Sequence, residues 1–325
     1  MRIWIKYLEE DMALTKEQHK IRKSGIGGSD VAAILGLSKY KTPLQVYLDK
    51  VIDDIPEQSD SPFIEWGNRL EPLVIQAFCD KTGKECILEP ETLRHPKYPW
   101  MLANIDARIK GENAILECKT AGQFMAKEWS KEGGDALPEA YMLQCAHYAE
   151  VCDVDIVYVA VLIGGNDFRM YHYVRNHEIG KAIIDAEKRF WNDCVISKVP
   201  PMAVNLEDSL RLWGHICNGS SIEGDESIAK TIQEIAELKS SFKDQLNCIQ
   251  EQINKKILVI HEYMKDAETL NDTYGNTLAT WKNQMTNRFD LREFKEDNPD
   301  IYNKYIKQTH NRIFKIKSNN HEYNI

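Results

Sequence analysis

The stretch MLANIDARIKGENAILECKT, residues 101–120, decides the fold of this chain. It contains two short apolar runs, each typical of a buried strand. Each run also carries charged side chains, which are costly to bury unless they are paired or bind a cation. Asp106 lies within the first predicted strand, and Glu117, Cys118 and Lys119 end the second. Because adjacent antiparallel strands bring such carboxylates close together, we expect Asp106 and Glu117 to share one site.

The side chains of this site suit a divalent cation and a phosphodiester substrate. Hard cations such as Mg²⁺ take oxygen ligands, usually one or two carboxylates, with the other positions left to water and phosphate. Alternation along a strand places Glu117 and Lys119 on the same face. A lysine beside the ion can orient or deprotonate the attacking water and stabilise the charge of a phosphorane.

The Glu-x-Lys pattern by itself indicates nothing, because it also occurs at residues 237–239 and 293–295. The first of these copies falls on a predicted long helix and the second in a polar stretch. A surface salt bridge is the alternative explanation for every copy. Only Glu117 and Lys119 end an apolar strand that follows another strand with an aspartate.

Three further residues are candidates on flanking helices. Glu71, on a predicted helix at 63–82, is either a second acidic group of the site or a solvated side chain. Gln144 and Tyr148 are four residues apart in an otherwise apolar helix and therefore share a face. Gln144 can hold the lysine or the water, or it is a buried amide satisfied by the backbone.

The turn RKSGIGGSD, residues 22–30, indicates a possible anion site. Its glycines let backbone amides approach an anion, and Ser29 precedes a helix N-terminus, which favours negative charge. Arg22 adds a guanidinium suited to bidentate phosphate contact. No Gly-Lys-Ser/Thr follows, so this is not a nucleotide-binding P-loop. A capped glycine turn is the simpler explanation.

The order of predicted elements indicates an α/β (α+β) fold with a mixed central sheet flanked by helices. Helices precede three strands, and a helix, a two-strand hairpin across 164–166 and a further helix follow. Pro200 and Pro201 mark an expected domain edge, which gives one domain at 1–205 and an extension at 206–325. A possible helix at 12–24 has Thr15 as its candidate N-cap.

The extension begins with a predicted long helix over residues 226–264. Its apolar side chains recur at steps of three, four and seven and form one stripe, which is typical of a packing face or a coiled coil. The positions are 228, 232, 235, 242, 246, 249, 253, 257, 260 and 264. A small α+β appendage follows, in which residues 301–317 hold five basic and no acidic side chains. That segment either grips a phosphate backbone or is a solvated strand face.

Composition excludes several classes of protein. The 325 residues are 43% hydrophobic and 28% charged, as in an ordinary globular protein. A net charge of -9 argues against a chain that coats nucleic acid non-specifically. None of the eight cysteines stands in a C-x-x-C spacing, so a zinc ribbon is not expected. No apolar run suits a signal peptide or a membrane span, so we expect a cytoplasmic protein without a membrane partner.

Four ordered motifs together resemble the YqaJ-like phage recombinase family, which includes lambda exonuclease. They are R-x-x-x-I-G-G-S-D, W-G-x-x-x-E-P, the D…E-x-K pair and A-Y-M-L-Q-x-x-x-Y, and they cover about residues 15 to 200. The resemblance implies the PD-(D/E)xK nuclease fold. The chain departs from the family pattern at two places. Ile105 stands where the motif has proline, and the region beyond about residue 205 has no counterpart in lambda exonuclease.

The resemblance also implies a role for each matching residue. Asp106, Glu117 and the Cys118 carbonyl are the implied metal ligands, and Lys119 is the implied catalytic lysine. Glu71 matches the helix acid, Gln144 its polar partner, and Tyr148 the tyrosine of the Q-x-x-x-Y pattern. Arg22 and Ser29 match the residues that hold the 5′-phosphate of a DNA end.

These roles imply a Mg²⁺-dependent exodeoxyribonuclease, with Mn²⁺ expected to substitute, that digests one strand of duplex DNA from its 5′ end. The resemblance further implies a trimeric ring on double-stranded DNA ends and an annealing protein as partner. Two alternatives are a structure-specific endonuclease on the same fold and a non-catalytic protein that binds DNA or a partner.

Overall fold

The computed structural model describes residues 16–52, 62–130, 137–216, 219–307, 313–318 and 321–324 of the chain. It divides into two compact units, one up to Ser209 and one from Leu210. The helices of the first unit are α1 (Lys16–Lys23), α2 (Gly28–Ile34), α3 (Pro43–Val51), α4 (Pro62–Thr82), α5 (Glu139–Cys152) and α6 (His177–Arg189). Its strands are β1 (Ile26–Gly27), β2 (Cys86–Leu88), β3 (Leu93–Arg94), β4 (Met101–Ala103), β5 (Ala107–Ile109), β6 (Ala114–Ala121), β7 (Ile156–Ile163) and β8 (Asp167–Val174).

A mixed five-stranded sheet with the order β2-β5-β6-β7-β8 forms the centre of the first unit. Strands β6 and β7 run parallel because α5 connects them, while the other neighbours pair antiparallel. Val74 and Phe78 of α4 pack on one face with Leu116, and the residues of α5 pack on the other with Ile115. The predicted mixed sheet flanked by helices is confirmed, as is the hairpin across 164–166.

One strand prediction is wrong and matters for the site. The run 101–109 was expected to be a single strand that contains Asp106. Instead β4 belongs to a small second sheet with β1 and β3, whereas β5 belongs to the central sheet. The chain passes from one sheet to the other between Ala103 and Ala107, so Asp106 lies in the connection. Residues 86–94 are divided in the same way, because β2 belongs to the central sheet and β3 to the small one.

Local sequence explains how the flanking helices begin. Thr42 caps α3 by accepting a hydrogen bond from the Gln45 amide, and Gln45 reciprocates through its side chain. Helix α4 continues through Pro72 over 21 residues. The proposed cap at Thr15 lies outside the described residues. Beyond α6, a π-helical turn (Phe190–Ile196) extends the helix.

The end of the first unit lies beyond the predicted edge at residue 205. Asp208, on α7 (Leu206–Trp213), is 1% exposed and accepts a hydrogen bond from the Thr42 hydroxyl at 2.9 Å. A chain cut after residue 205 would therefore lose a buried partner of the α3 cap.

The second unit contains a 39-residue helix, α8 (Glu226–Met264), as the periodicity predicts. Its other helices are α9 (Leu291–Asp297) and α10 (Pro299–Tyr305), and its strands are β9 (Thr269–Asn271), β10 (Thr277–Thr280), β11 (Lys315–Ser318) and β12 (His321–Asn324). The strands form two separate two-stranded sheets. The basic segment at 301–317 is described only in part, because Arg312 and the side chain of Lys317 lie outside the described residues.

Within the described parts of the chain, no helix has the length and apolar character needed to span a membrane. The seven cysteines that the structure describes are free thiols, and Cys217 lies outside the described residues.

Candidate active site

The strand register places Asp106 and Glu117 side by side. Ala107 of β5 pairs with Leu116 of β6, so the antiparallel register brings the preceding Asp106 opposite Glu117. The amide of Cys118 donates a hydrogen bond of 2.5 Å to Asp106 Oδ2. The connection between the two sheets is thus tied to β6 at the residue that follows Glu117.

Glu117 is almost fully buried, at 5% exposure. Its Oε1 atom accepts a hydrogen bond from Gln144 Nε2 at 2.7 Å and pairs with the ammonium of Lys119. Its Oε2 atom is buried without a hydrogen-bond partner among the described residues. A buried carboxylate oxygen without a partner is costly unless a cation or a water satisfies it.

Three acidic side chains interact electrostatically at this point. Burial and the nearby charges of Glu117 and Glu71 raise the pKa of Asp106 well above its usual value. Burial and Glu117 also raise the pKa of Glu71, which projects from α4. Such mutual repulsion is what a bound divalent cation relieves, because the cation favours the charged form of each carboxylate.

Lys119 is the positive charge within this acidic cluster. Burial lowers its pKa, but Glu117 and Asp106 raise it more, so the net pKa lies above the ordinary value and the side chain keeps its proton. The Lys119 ammonium also lies 5.4 Å from the ring centroid of Tyr141 on α5. Tyr141 in turn stacks on Trp129, with centroids 5.1 Å apart. This aromatic support fixes where the ammonium stands.

Gln144 and Tyr148 join the acidic cluster to the glycine turn. Gln144 Nε2 lies 3.2 Å from the Tyr148 hydroxyl, and both residues are buried. Gly28, at the start of α2, packs directly on them: a Cβ at this position would lie 2.6 Å from the Tyr148 ring and 2.9 Å from Gln144 Cγ. The first and fourth motifs of the sequence therefore meet through Gly28.

Arg22 lies near the same tyrosine. The Arg22 charge contributes to the pKa of Tyr148, although burial dominates and raises that pKa well above its usual value. Arg22 and Ser29 are both exposed, on either side of the glycine turn. Arg22 therefore lies close enough to Tyr148 to act on its charge, and Ser29 directly follows Gly28, which packs on Tyr148 and Gln144.

A buried ion pair holds the glycine turn in place. Asp30 accepts hydrogen bonds from Lys50 and Lys41, each at 2.8 Å, and their charges hold the pKa of Asp30 below its usual value despite its burial. Lys50 also donates to the backbone carbonyl of Arg22 at 2.9 Å. Asp30 therefore acts on Arg22 through Lys50.

The ligand chemistry of the site fits a hard divalent cation. No three His, Cys, Asp or Glu side chains form a metal-binding group by themselves in the described ranges. The expected ligand set contains only two such side chains, Asp106 and Glu117, together with the Cys118 carbonyl. Burial and the two carboxylates raise the pKa of the Cys118 thiol well above its usual value, which disfavours a thiolate ligand. The unpartnered Oε2 of Glu117 agrees with this set.

Sequence reasoning missed three residues that shape the site, and it gave Gly28 a role in the anion turn but not its contact with Tyr148 and Gln144. Tyr141 stands inside a quoted motif, but an aromatic residue on a helix has a common structural explanation. Asp30 was also inside a motif, without a role. Lys50 carries no sequence signal, since its contact with Arg22 depends on how α1 and α3 pack.

Comparisons with known proteins extend over most of the chain. The family model for the YqaJ-like viral recombinase domain matches residues 17–155. "Uncharacterized protein YqaJ" of Bacillus subtilis (strain 168) is 37% identical over 302 residues, which cover 91% of this chain and 92% of that protein.

Among solved structures, the chain is similar to the alkaline exonuclease LHK-Exo of Laribacter hongkongensis. The TM-score is 0.45 at 12% identity, with 57% of this chain and 94% of that chain covered. A phage-related exonuclease of Haemophilus somnus 129PT gives a TM-score of 0.41 at 14% identity, with 54% and 96% covered.

Proposed function

Since this chain belongs to the YqaJ-like viral recombinase family, we propose that it is a metal-dependent deoxyribonuclease that digests one strand of a DNA duplex from its 5′ end. The observation that carries the proposal is the convergence of Asp106, which directly precedes β5, with Glu117 and Lys119 of the adjacent β6, with one buried oxygen of Glu117 left unpartnered among the described residues. A purely structural salt bridge does not require a second carboxylate beside a buried orphan oxygen.

Asp106, Glu117 and the Cys118 carbonyl would hold the ion, with Mg²⁺ expected and Mn²⁺ as a substitute. Such an ion supplies charge for the scissile phosphate and lowers the pKa of a water molecule. The oxygen ligands suit Mg²⁺, which usually keeps several waters and binds one or two carboxylates.

Four further residues have separate proposed roles in the reaction. The ammonium of Lys119 keeps its proton, so it is suited to donate a hydrogen bond to the attacking water or to a phosphate oxygen that gains charge in the transition state. Gln144 orients Glu117 by its hydrogen bond, and Tyr148 supports Gln144. Glu71 adds a third acidic group at the same site. In the proposed reaction, the 3′ oxygen leaves and a 5′-phosphorylated nucleotide is released.

The proposal is tested with linear duplexes and a closed circle of the same sequence, incubated with Mg²⁺ or with EDTA. We expect the linear DNA alone to be degraded, from the 5′ end, and only with the metal ion. Cutting of the circle would favour the endonuclease alternative. No cutting of either DNA by folded protein would favour a binding protein.

Arg22→Ala is expected to remove the preference for a 5′-phosphate over a 5′-hydroxyl end. Charge-assisted hydrogen bonds are worth about 1.5–3 kcal/mol, so the rate on phosphorylated ends should fall about tenfold or more. The rate on hydroxyl ends should change little. The measurement is degradation of two duplexes that differ only in this group.

Arg189→Ala is the matched control, since Arg189 is an exposed arginine on α6. If both variants lose the same fraction of activity on both ends, Arg22 does not recognise the phosphate. Ser29, which flanks the same turn, is proposed to bind the phosphate together with Arg22.

Other parts of the proposal rest on the family resemblance. We propose that the enzyme acts on double-stranded DNA ends as a homo-oligomer, a trimeric ring, beside a single-strand annealing protein in the cytoplasm. Residues 206–325 have no assigned role in this scheme.

A further inference from the structure

A buried histidine and a buried glutamate form a pair that has no role in the proposed reaction. His147 of α5 is fully buried, and Glu187 of α6 is 1% exposed. Nδ1 of His147 lies 2.7 Å from Glu187 Oε1, and Nε2 lies 2.8 Å from the carbonyl oxygen of Leu102 on β4. The other carboxylate oxygen of Glu187 is buried without a hydrogen-bond partner among the described residues. The pair thus joins α5 and α6 to the middle residue of β4.

The two contacts of His147 determine where its protons lie. A carbonyl oxygen can only accept, so Nε2 carries a hydrogen atom and donates it to Leu102. Nδ1 faces a carboxylate oxygen, and this contact is attractive only with a proton between the two atoms. Burial lowers the pKa of His147, but the charge of Glu187 and its hydrogen bond raise it more, so the net pKa lies above the ordinary value. The ring is therefore held as a donor to β4.

The stability of the fold does not by itself explain a polar pair at this place. Buried ion pairs are often no more stabilising than apolar side chains of similar size, because removing both charges from water is costly. Apolar side chains already pack α6 against α5, since Ile183 of α6 and Val151 of α5 belong to one buried cluster. Two further apolar residues would extend that packing, but they could not donate a hydrogen bond to the Leu102 carbonyl.

Strand β4 controls where Asp106 lies. The strand ends at Ala103, and the Asp106 carboxylate accepts a hydrogen bond of 2.5 Å from the Cys118 amide of β6. The segment from Leu102 to Asp106 is thus held at both ends, by His147 on one side and by β6 on the other. Because this segment is short, a shift of β4 is transmitted to the Asp106 carboxylate.

We propose that His147 and Glu187 are a positioning pair for Asp106, which they act on through β4 without touching the metal ion. The inference rests on the proposed function, because Asp106 is a metal ligand only in that scheme. Groups that hold metal ligands in place typically contribute about 10–100-fold to metal affinity. This pair acts through the backbone and not on the carboxylate itself, so we expect the lower end of that range.

Replacing both members by leucine tests the proposal, because His147→Leu/Glu187→Leu removes the contact with β4 and leaves no buried charge unpaired. The affinity for Mg²⁺, measured by calorimetric titration, should fall about tenfold. In the metal-free protein, amide hydrogen exchange over residues 101–106 should become about tenfold faster, as expected for the loss of one hydrogen bond. His147→Asn is a second variant that should give both changes, since its amide can reach Glu187 but is too short for Leu102.

Two further variants show whether the contact with β4 is responsible. Glu187→Gln should keep nearly the wild-type affinity and exchange, because its amide can donate to Nδ1 of a neutral His147 and leave the Nε2 hydrogen on Leu102. Glu150→Gln is the matched control. Glu150 is another buried acid on α5, but its hydrogen bonds come from Arg175, which follows β8. This change should alter neither the Mg²⁺ affinity nor the exchange over residues 101–106.

Circular dichroism checks that each variant is folded. Unchanged exchange over residues 101–106 in the pair variants, or faster exchange without a loss of Mg²⁺ affinity, would overturn the inference. An equal loss of affinity in Glu150→Gln would also overturn it, because any disturbance of α5 would then have the same effect. A wild-type protein that binds no Mg²⁺ would instead overturn the proposed metal site, and the exchange rates would still decide whether the pair holds β4.

Discussion

Replacing Lys119 with alanine is expected to lower the rate of DNA hydrolysis about 10³-fold, the middle of the range for loss of a positioned proton donor or acceptor. The affinity for Mg²⁺ should stay the same or rise. Lys119 neutralises Glu117 and Asp106, so its removal leaves more negative charge for the ion. A lower rate together with an unchanged or higher Mg²⁺ affinity indicates a catalytic lysine. A lysine that only stabilises the structure of the site would lower both the rate and the affinity when it is replaced.

Single-turnover degradation and calorimetric Mg²⁺ titration are the two measurements. Lys110→Ala is the control, since Lys110 is an exposed lysine whose partner is Glu85. Lys110→Ala should leave both quantities unchanged. If Lys119→Ala retains more than a tenth of the wild-type rate, the catalytic role assigned to Lys119 is wrong.

Replacing Gly28 with alanine is expected to give the second largest loss, about 10²-fold in rate, although Gly28 contacts no substrate in the proposed scheme. The added methyl group would overlap the Tyr148 ring and Gln144, which must move. Because Gln144 orients Glu117, a displacement of about 1 Å reaches the acidic site, and such misplacements cost about 10²-fold. Overpacking should also lower the free energy of unfolding by about 1–3 kcal/mol.

The neighbouring glycine provides a matched control. A Cβ at Gly27 meets nothing within 4 Å, and the φ angle of -94° suits any residue. Gly27→Ala should therefore keep both activity and stability. Equal losses in the two variants would mean that the turn needs glycine for its backbone and not for the contact with α5.

The sequence predicts those parts of the fold that depend on local periodicity. The long helix, the 164–166 hairpin and strand β6 of the site follow from side chains close in sequence. The Asp106 and Glu117 pair was predictable for the same reason, since only β5 and a short turn separate Asp106 from β6. The switch between two sheets at 103–107 was not predictable, because the alternative partners of β4 and β5 are distant in the chain.

The contacts that connect the motifs were also beyond sequence reasoning. The position of Tyr141 beneath Lys119 depends on how α5 packs on the sheet, and that of Lys50 beside Arg22 on how α1 and α3 pack on each other. Their side chains are ordinary for a helix, so no pattern distinguishes them. The family resemblance assigned roles to ligands and phosphate contacts, but not to these supports.

The position of Asp106 between two sheets has a consequence for how ion preference can evolve. Glu117 lies on β6, in the middle of the central sheet. Asp106 lies in the segment that connects this sheet to the small sheet of β1, β3 and β4. Changes in the packing of that small sheet would alter the gap between the two carboxylates without replacing either of them. Selection between ions of different radius is thus open to substitutions that never touch the ligands.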